Sequence, residues 1–181
     1  MVTTRTIFTS IAICIAMINC ANEGNEKTVE PVIDSTTVSA NSTIAGIDKL
    51  TPDSLLAFAR TLIGIPYLYA STDPKKGFDC SGFITYVFNH FHVSVPRSSV
   101  DFTNYGKTIP LEKAKVGDLI LFTGTDSTIR IVGHMGIVEN IKNDTLHFIH
   151  STSGKMKGVT ITPLGSYYKG RFVKVIRVLK D

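Results

Sequence analysis

Apolar and polar positions divide this chain into three stretches of different texture. Ile11-Ala12-Ile13-Cys14-Ile15-Ala16-Met17-Ile18 is an unbroken apolar run. From Ala21 to about Ile47 no apolar period is sustained, and Asn, Glu, Ser and Thr dominate. From Asp48 onward the pattern becomes periodic. Leu55, Leu56, Ala59, Leu62 and Ile63 recur at helical spacing. They follow Thr51-Pro52-Asp53-Ser54, in which Thr51 can cap and Pro52 suits the first helical position. Gly64 and Pro66 end that helix. Phe83, Tyr86, Val87 and Phe91 mark the apolar side of a second helix, from Cys80 to about His90. A short helix-like piece follows Val95-Pro96-Arg97-Ser98-Ser99 and stops near Tyr105-Gly106. The period then shortens. Asp118 to Phe122, His134 to Ile141, Thr145 to His150, Val159 to Thr162 and Arg171 to Leu179 are β-rich runs bounded by turn residues. Helices first and strands after predicts an α+β domain, its helices packed on one face of an antiparallel sheet of about five to six strands.

The first apolar run changes the picture of where the protein works. Arg5 gives it a positively charged start, and it is too short to span a bilayer comfortably, so residues 1–20 read as an export signal. Met17-Ile18-Asn19-Cys20 resembles the end of a bacterial lipoprotein signal, in which the cysteine is lipidated and becomes the first mature residue. Asn19 departs from the small residue usual at that position. The expectation is a lipid anchor on Cys20, a disordered polar tether over 21–47, and a folded domain over 48–181. Such a protein is exported and held at a membrane, facing the cell wall or periplasm. The alternative is ordinary cleavage near Cys20 and a soluble secreted product. With Cys14 discarded and Cys20 capped, Cys80 is the one free thiol left, and a lone thiol in an exported protein calls for an explanation.

Charge narrows the partners. The tether is acidic, with Glu23, Glu26, Glu30 and Asp34 against Lys27. From Asp48 onward 17 Lys+Arg stand against 11 Asp+Glu, a balance of +6 within a whole-chain value of +4. A modestly basic domain suits an anionic polymer such as a cell wall, or serves solubility. The charges are scattered, with no basic helix and no aromatic-interleaved stripe, so nucleic acid is not expected as a partner. A monomer is expected.

Cys80 carries the candidate chemistry. It stands directly before a helical run, where unpaired backbone N–H groups and the macrodipole favour an anion, so its thiol is expected to ionise more easily than a core thiol. A thiolate nucleophile needs a nearby base. His90 and His92 sit at the far end of the Cys80 helix and cannot easily face it. His134 and His150 are symmetric about Lys142, inside the turn candidate Asn140-Ile141-Lys142-Asn143-Asp144. A hairpin closed there sets His134 directly opposite His150, within about 5.5 Å at Cβ. It also sets Gly136 against Phe148 and Val138 against Leu146, and turns His147 to the other face. His134 would then hold the thiol proton while His150 fixes its tautomer. A Cys-His-His zinc site is chemically possible but lacks a fourth ligand at a recognisable spacing, so no metal or other cofactor is expected.

Five motifs occur in order: Phe78-Asp79-Cys80-Ser81-Gly82, Val95-Pro96-Arg97, Val116-Gly117-Asp118-Leu119, Gly133-His134-Met135-Gly136-Ile137 and Phe148-Ile149-His150-Ser151-Thr152. Together, over about Thr51 to Leu179, they resemble the NlpC-type family of papain-like cell-wall cysteine peptidases. The resemblance implies a papain-like fold and catalytic Cys80 and His134, with a polar third member at His150. It also implies hydrolysis of γ-D-glutamyl–diamino acid amide bonds in peptidoglycan stem peptides through a Cys80 thioester. Tyr67 matches a family tyrosine whose hydroxyl helps the oxyanion site or the substrate, and Asp79 and Ser81 are expected to meet the peptide's free amine. Arg97 could bind a substrate carboxylate, although a structural ion pair is its expected role, and Asp118 is expected to serve the turn before its strand. The chain departs from the family pattern in the loop from Leu68 to Lys76, which borders the cleft. Two other readings stay open: an amidase or acyltransferase using the same triad on another acyl substrate, and a degenerate wall-binding lipoprotein.

Overall fold

A computed structural model describes residues 50–179. The export signal, the anchor at Cys20 and the tether lie outside the described residues.

Helix α1, Pro52–Thr61, starts where the sequence places it. Thr51 and Ser54 form a reciprocal capping box, with the Ser54 N–H donating to Thr51 Oγ1 at 3.1 Å and the Thr51 N–H donating to Ser54 Oγ at 2.9 Å. It stops short of the expected Ile63, which is exposed, because Leu62 already caps it and Gly64 turns the chain at φ +90°. A two-stranded ribbon, β1 (Thr72–Asp73) with β2 (Gly77–Phe78), then delivers the chain into α2, Cys80–His90. The piece after Val95-Pro96 is a 3-10 helix, Ser99–Asn104.

The main sheet has six antiparallel strands: β3 (Lys107–Ile109), β4 (Leu119–Thr123), β5 (Val132–Lys142), β6 (Thr145–Thr152), β7 (Gly158–Pro163) and β8 (Phe172–Arg177). They lie in the order β3-β8-β4-β5-β6-β7. The expected antiparallel sheet is present, and α1 and α2 cover one face, burying Leu55, Phe83, Phe88, Leu121, Met135 and Ile149 together. Alternation along the strands sends Ile120, Phe122, Val138, Phe148 and Val175 to the opposite face, where Tyr168 and Leu164 cover them. That second core is the piece the sequence pattern does not announce. Its cover comes from α3, Ser166–Arg171, a six-residue helix between β7 and β8 and too short to show a period. Strand β3 escapes notice for the same reason. Among the described residues no helix is long and apolar enough to cross a membrane.

Candidate active site

Cys80 is the first residue of α2, and Asp79 is the cap, accepting from the Gly82 N–H at 2.6 Å. Gly82 is required by a close approach, since a Cβ there would lie 2.1 Å from the Ser71 carbonyl oxygen. Asp79 is also gripped by the Arg97 fork, Nη1 to Oδ1 at 3.0 Å and Nη2 to Oδ2 at 2.7 Å, while Nη1 donates to Ser81 Oγ at 3.1 Å. The ion pair expected of Arg97 is therefore formed, and Asp79, Ser81 and Arg97 make one network beside the thiol. Asp118 also behaves as expected. It accepts from the Lys115 N–H at 2.8 Å in the turn before β4, and it pairs with Arg177.

The thiol itself departs from expectation. Cys80 is 9 % exposed, and its Sγ faces the Gly133 carbonyl at 3.9 Å. Burial pushes it up to about 11, and the Asp79 charge adds to this. The N–H groups of Ser81, Cys80 and Met135 pull the other way and lose. A helix start does favour the thiolate here, but removal from water outweighs it.

The histidines reach their common face by an unforeseen route. The turn is tighter than the stretch about Lys142. It is the two residues Asn143-Asp144, both at positive φ (50° and 57°), with Lys142 opposite Thr145. An unbroken ladder from that turn would put His134 and His150 on opposite faces of the sheet. Glu139 prevents this. It is one extra residue on β5, since Val138 pairs with Phe148 while Asn140 pairs with His147. Glu139 is held in place by Arg60 of α1, whose Nε donates to Oε1 at 3.0 Å.

Below the bulge Ile137 faces Ile149, so His134 and His150 are diagonal neighbours rather than directly opposite ones. The expected pairs Gly136 with Phe148 and Val138 with Leu146 are displaced likewise. The side chains still meet, His134 Nε2 to His150 Nδ1 at 2.8 Å, because Gly136 leaves the space between them empty. A Cβ on Gly136 would lie 2.7 Å from Phe148 Cδ2 and 3.1 Å from His150 Cβ. His150 Nε2 in turn meets Thr162 Oγ1 of β7 at 2.9 Å. With His134 Nε2 engaged by His150, Nδ1 is the ring nitrogen left for a thiol proton. The other histidines stay apart: His90 stacks on Phe58 at 3.6 Å between ring centroids, His92 is exposed, and His147 Nδ1 lies 3.1 Å from the Thr145 carbonyl oxygen.

The pair sits in an aromatic box. Tyr168 lies 6.0 Å from the His134 ring and 5.6 Å from the His150 ring between centroids, and Phe122 and Phe148 close the other sides. Burial pushes His150 down to about 3, aided by the charge of Arg171. Burial first, then His150 and Arg171, holds His134 well below the usual range for histidine. At neutral pH the resting partners are thus a thiol and two neutral imidazoles, able to pass a proton during a reaction without holding a preformed ion pair.

Two hollows meet over the thiol. A cleft of about 620 Å³ is lined by Tyr67, Cys80, His134, Thr162, Tyr168 and Arg171 among others. One of about 400 Å³ on the other side takes in Asp79, Ser81, Arg97 and Tyr69. Tyr67, Cys80 and Gly133 belong to both. Burial raises the Tyr67 hydroxyl, helped by Cys80 and Asp79, so it stays a hydrogen-bond donor at neutral pH. Cys80, His134, Tyr67, Asp79, Ser81 and Arg97 therefore line adjoining hollows, and His150 joins them through its contact with His134. Sequence reasoning missed Thr162, Tyr168, Arg171 and the bulge at Glu139. Thr162 alone carried a signal, its place on the strand beside β6.

A thiol at a helix start that shares a cleft with a histidine of an antiparallel sheet is the arrangement of a papain-like α+β domain. Residues 64–177 match the NlpC/P60 family, and the chain belongs to it. It is 31% identical over 132 residues to the gamma-DL-glutamyl hydrolase of Bacillus subtilis, covering 70% of this chain and 30% of that protein. It is 36% identical over 107 residues to the murein DD-endopeptidase MepS/murein LD-carboxypeptidase of Escherichia coli K12, covering 58% of this chain and 52% of that protein. The chain thus spans about half or less of the length of these relatives. In three dimensions it resembles an NlpC/P60 family protein from Bacillus cereus at a TM-score of 0.66 and 28% identity, over 74% of this chain and 42% of that one.

Proposed function

We propose that this protein is a cysteine endopeptidase of peptidoglycan that hydrolyses the amide between the γ-carboxyl of D-glutamate and the following diamino acid. The observation that carries the reading is that Cys80 and His134 line one cleft, with His150 buried behind His134 at 2.8 Å. Attack begins as His134 Nδ1 takes the proton of Cys80 and the sulfur bonds to the γ-carbonyl carbon. The oxyanion forms at the start of α2, where backbone N–H groups and the Tyr67 hydroxyl can receive it. His134 returns the proton to the leaving amine as the C–N bond breaks, and a thioester remains. Water then gives a proton to His134, attacks the thioester, and Cys80 leaves with that proton restored. The Asp79, Ser81 and Arg97 side is assigned to the free amine end of the peptide, and the opposite cleft to the diamino acid.

The murein name of the second relative supports a wall peptide as substrate, but the two names divide over the bond, γ-glutamyl in the first and DD in the second. Digestion of purified peptidoglycan with the domain, followed by mass spectrometry of the fragments, decides between them. The expected product carries a new D-glutamate γ-carboxyl and a free diamino acid amine. Release of fragments cut only at D-alanine would move the protein to the second reading. Outside the domain, the proposal includes export, a lipid on Cys20 and an acidic tether that holds a monomeric domain near the wall. Metabolic labelling with a palmitate analogue tests the lipid, and replacing Cys20 by alanine should remove the label.

A further inference from the structure

We propose that Thr162 is a positioning residue that sets which nitrogen of each histidine carries its proton, and so keeps His134 able to act as a base. The inference rests on the reading of Cys80 and His134 as nucleophile and base. The two contacts behind His134 form a directed chain. For His134 Nδ1 to accept the thiol proton it must be bare, so the neutral ring carries its proton on Nε2. That N–H donates to His150 Nδ1 at 2.8 Å, which must then be the bare nitrogen of His150. The proton of His150 therefore stands on Nε2, where it donates to Thr162 Oγ1 at 2.9 Å. His150 is fully buried, so no solvent replaces that acceptor.

A histidine pair without the terminal acceptor would choose the reverse order. His150 would keep its proton on Nδ1 and donate it to His134 Nε2. His134 would then carry its proton on Nδ1, facing the thiol with a donor where the reaction needs an acceptor. Among the described residues no other group is hydrogen-bonded to either ring. Arg171, the cation nearest it, spends its Nη atoms on the Tyr167 hydroxyl and the Thr123 carbonyl, and Tyr168 presents its ring. Asp79, the carboxylate beside Cys80 in the other hollow, is bound to Arg97. Thr162 belongs to the same cleft as Cys80, so its own hydroxyl hydrogen can point outward while the oxygen accepts.

The decisive measurement needs no variant. Histidine nitrogen chemical shifts of the wild-type chain at pH 7 should show both His134 and His150 as the Nε2-protonated tautomer. An Nδ1-protonated His150 overturns the proposal. Thr162→Val, which keeps the shape and removes the acceptor, should shift His150 to the Nδ1 form. It should lower kcat on wall peptides about 10- to 100-fold with KM unchanged, the size expected when a buried donor loses its partner. Thr162→Ser should restore both tautomer and rate. Equal kcat in the valine and wild-type proteins, or a loss that serine fails to rescue, counts against the role. The rate of Cys80 alkylation by iodoacetamide, followed on the Cys80 peptide by mass spectrometry, reads the same base without a substrate. It should fall in the valine protein even if wall peptides prove not to be the substrate, so failure of the endopeptidase reading and failure of this one are told apart.

Discussion

Cys80 and the histidine pair are placed by opposite means. Cys80 is fixed by its neighbours in the chain: Asp79 caps the helix, Gly82 lets the Ser71 carbonyl approach, and Arg97 ties the start down. His134 and His150 depend on a turn, a bulge held by a distant helix, and a glycine that leaves room between them. The placement of the proposed nucleophile is local, and that of its proposed base is a property of sheet register. Damage to the first should remove chemistry and spare the fold. Damage to the second should reach chemistry through geometry, and stability along with it.

The sharpest test of that contrast is the largest in effect. Cys80→Ala should reduce turnover of wall peptides on the order of 10⁵-fold or more. The alanine should leave the melting temperature nearly unchanged, because it fills a helix-start position that Asp79 and Gly82 already define. A large loss of stability would show that Cys80 is part of the core first and a nucleophile second. Gly136→Ala attacks the other region at its narrowest point. With a Cβ 2.7 Å from Phe148 Cδ2 and 2.8 Å from the Ile149 carbonyl oxygen, the rings or strands must shift. Turnover is expected to fall about 100-fold, as misplacement by about 1 Å does, and nitrogen shifts of His134 should move with it. Unchanged histidine shifts with full activity would mean that the pair tolerates more than its geometry suggests.

Acid should find the histidines before it finds the thiol. His150 is pushed down to about 3 in the fold and returns to the ordinary histidine value when unfolded. Its neutral form is the one the fold accepts, so its contribution is complete above about pH 6.5 and declines as pH falls towards 3. At pH 4 that loss is on the order of 3 kcal/mol. His150→Asn, which cannot take up the proton, should flatten the dependence of melting temperature on pH over that window. A slope equal to wild type would place the acid sensitivity elsewhere. In the other direction, Cys80 is raised to about 11, so its contribution holds below about pH 9 and is lost as pH rises through 11. Cys80→Ala should soften that alkaline limb alone.

These two modes of placement explain what could be read from the sequence. Cap, proline and glycine signals located α1, α2 and Cys80, because each acts within a few residues. Alternation located the five longer strands, and symmetry about Lys142 picked out His134 and His150. The NlpC-type motifs agree with the family to which residues 64–177 belong. Register was a different matter. The Lys142 midpoint ignored the Asn143-Asp144 turn and the extra residue at Glu139, two departures whose effects on the facing of the histidines cancel. The two histidines that meet in the fold were thus picked out for an incomplete reason. The expected low thiol pKa failed because the helix start was weighed without burial, which is a tertiary quantity. Tyr168, Arg171 and Thr162 come to the site from elements that no local signal joins to it.

Bulge and turn can be separated by two smaller perturbations. Arg60→Met leaves the Glu139 carboxylate buried without its cation, and stability should fall by about 1–3 kcal/mol. Adding Glu139→Gln should recover much of it, since the uncompensated charge is gone. If Arg60→Met also lowers kcat several-fold and the double variant restores it, the ion pair is setting the histidine face as well as the energy. A stability loss without any change in kcat would confine Arg60 to the core.

The turn should matter least. Asn143 and Asp144 both hold φ values that L-residues adopt reluctantly, and Asp144 stands where glycine is the residue of choice in a two-residue hairpin. Asp144→Gly relieves that strain and gives back part of the gain as chain entropy in the unfolded state, so the net change is a stabilisation of about 0.5 kcal/mol. Calorimetry should show a small rise in melting temperature, with kcat and KM unaltered. The activity half of that result carries the weight. A better turn that left turnover untouched would place control of the histidine face in Glu139 and Gly136, because the turn alone fixes a register in which the two rings could not meet. A change in kcat from a residue at the hairpin tip would instead show that the bulge yields to the turn, and that the histidine face is set from the end of the hairpin.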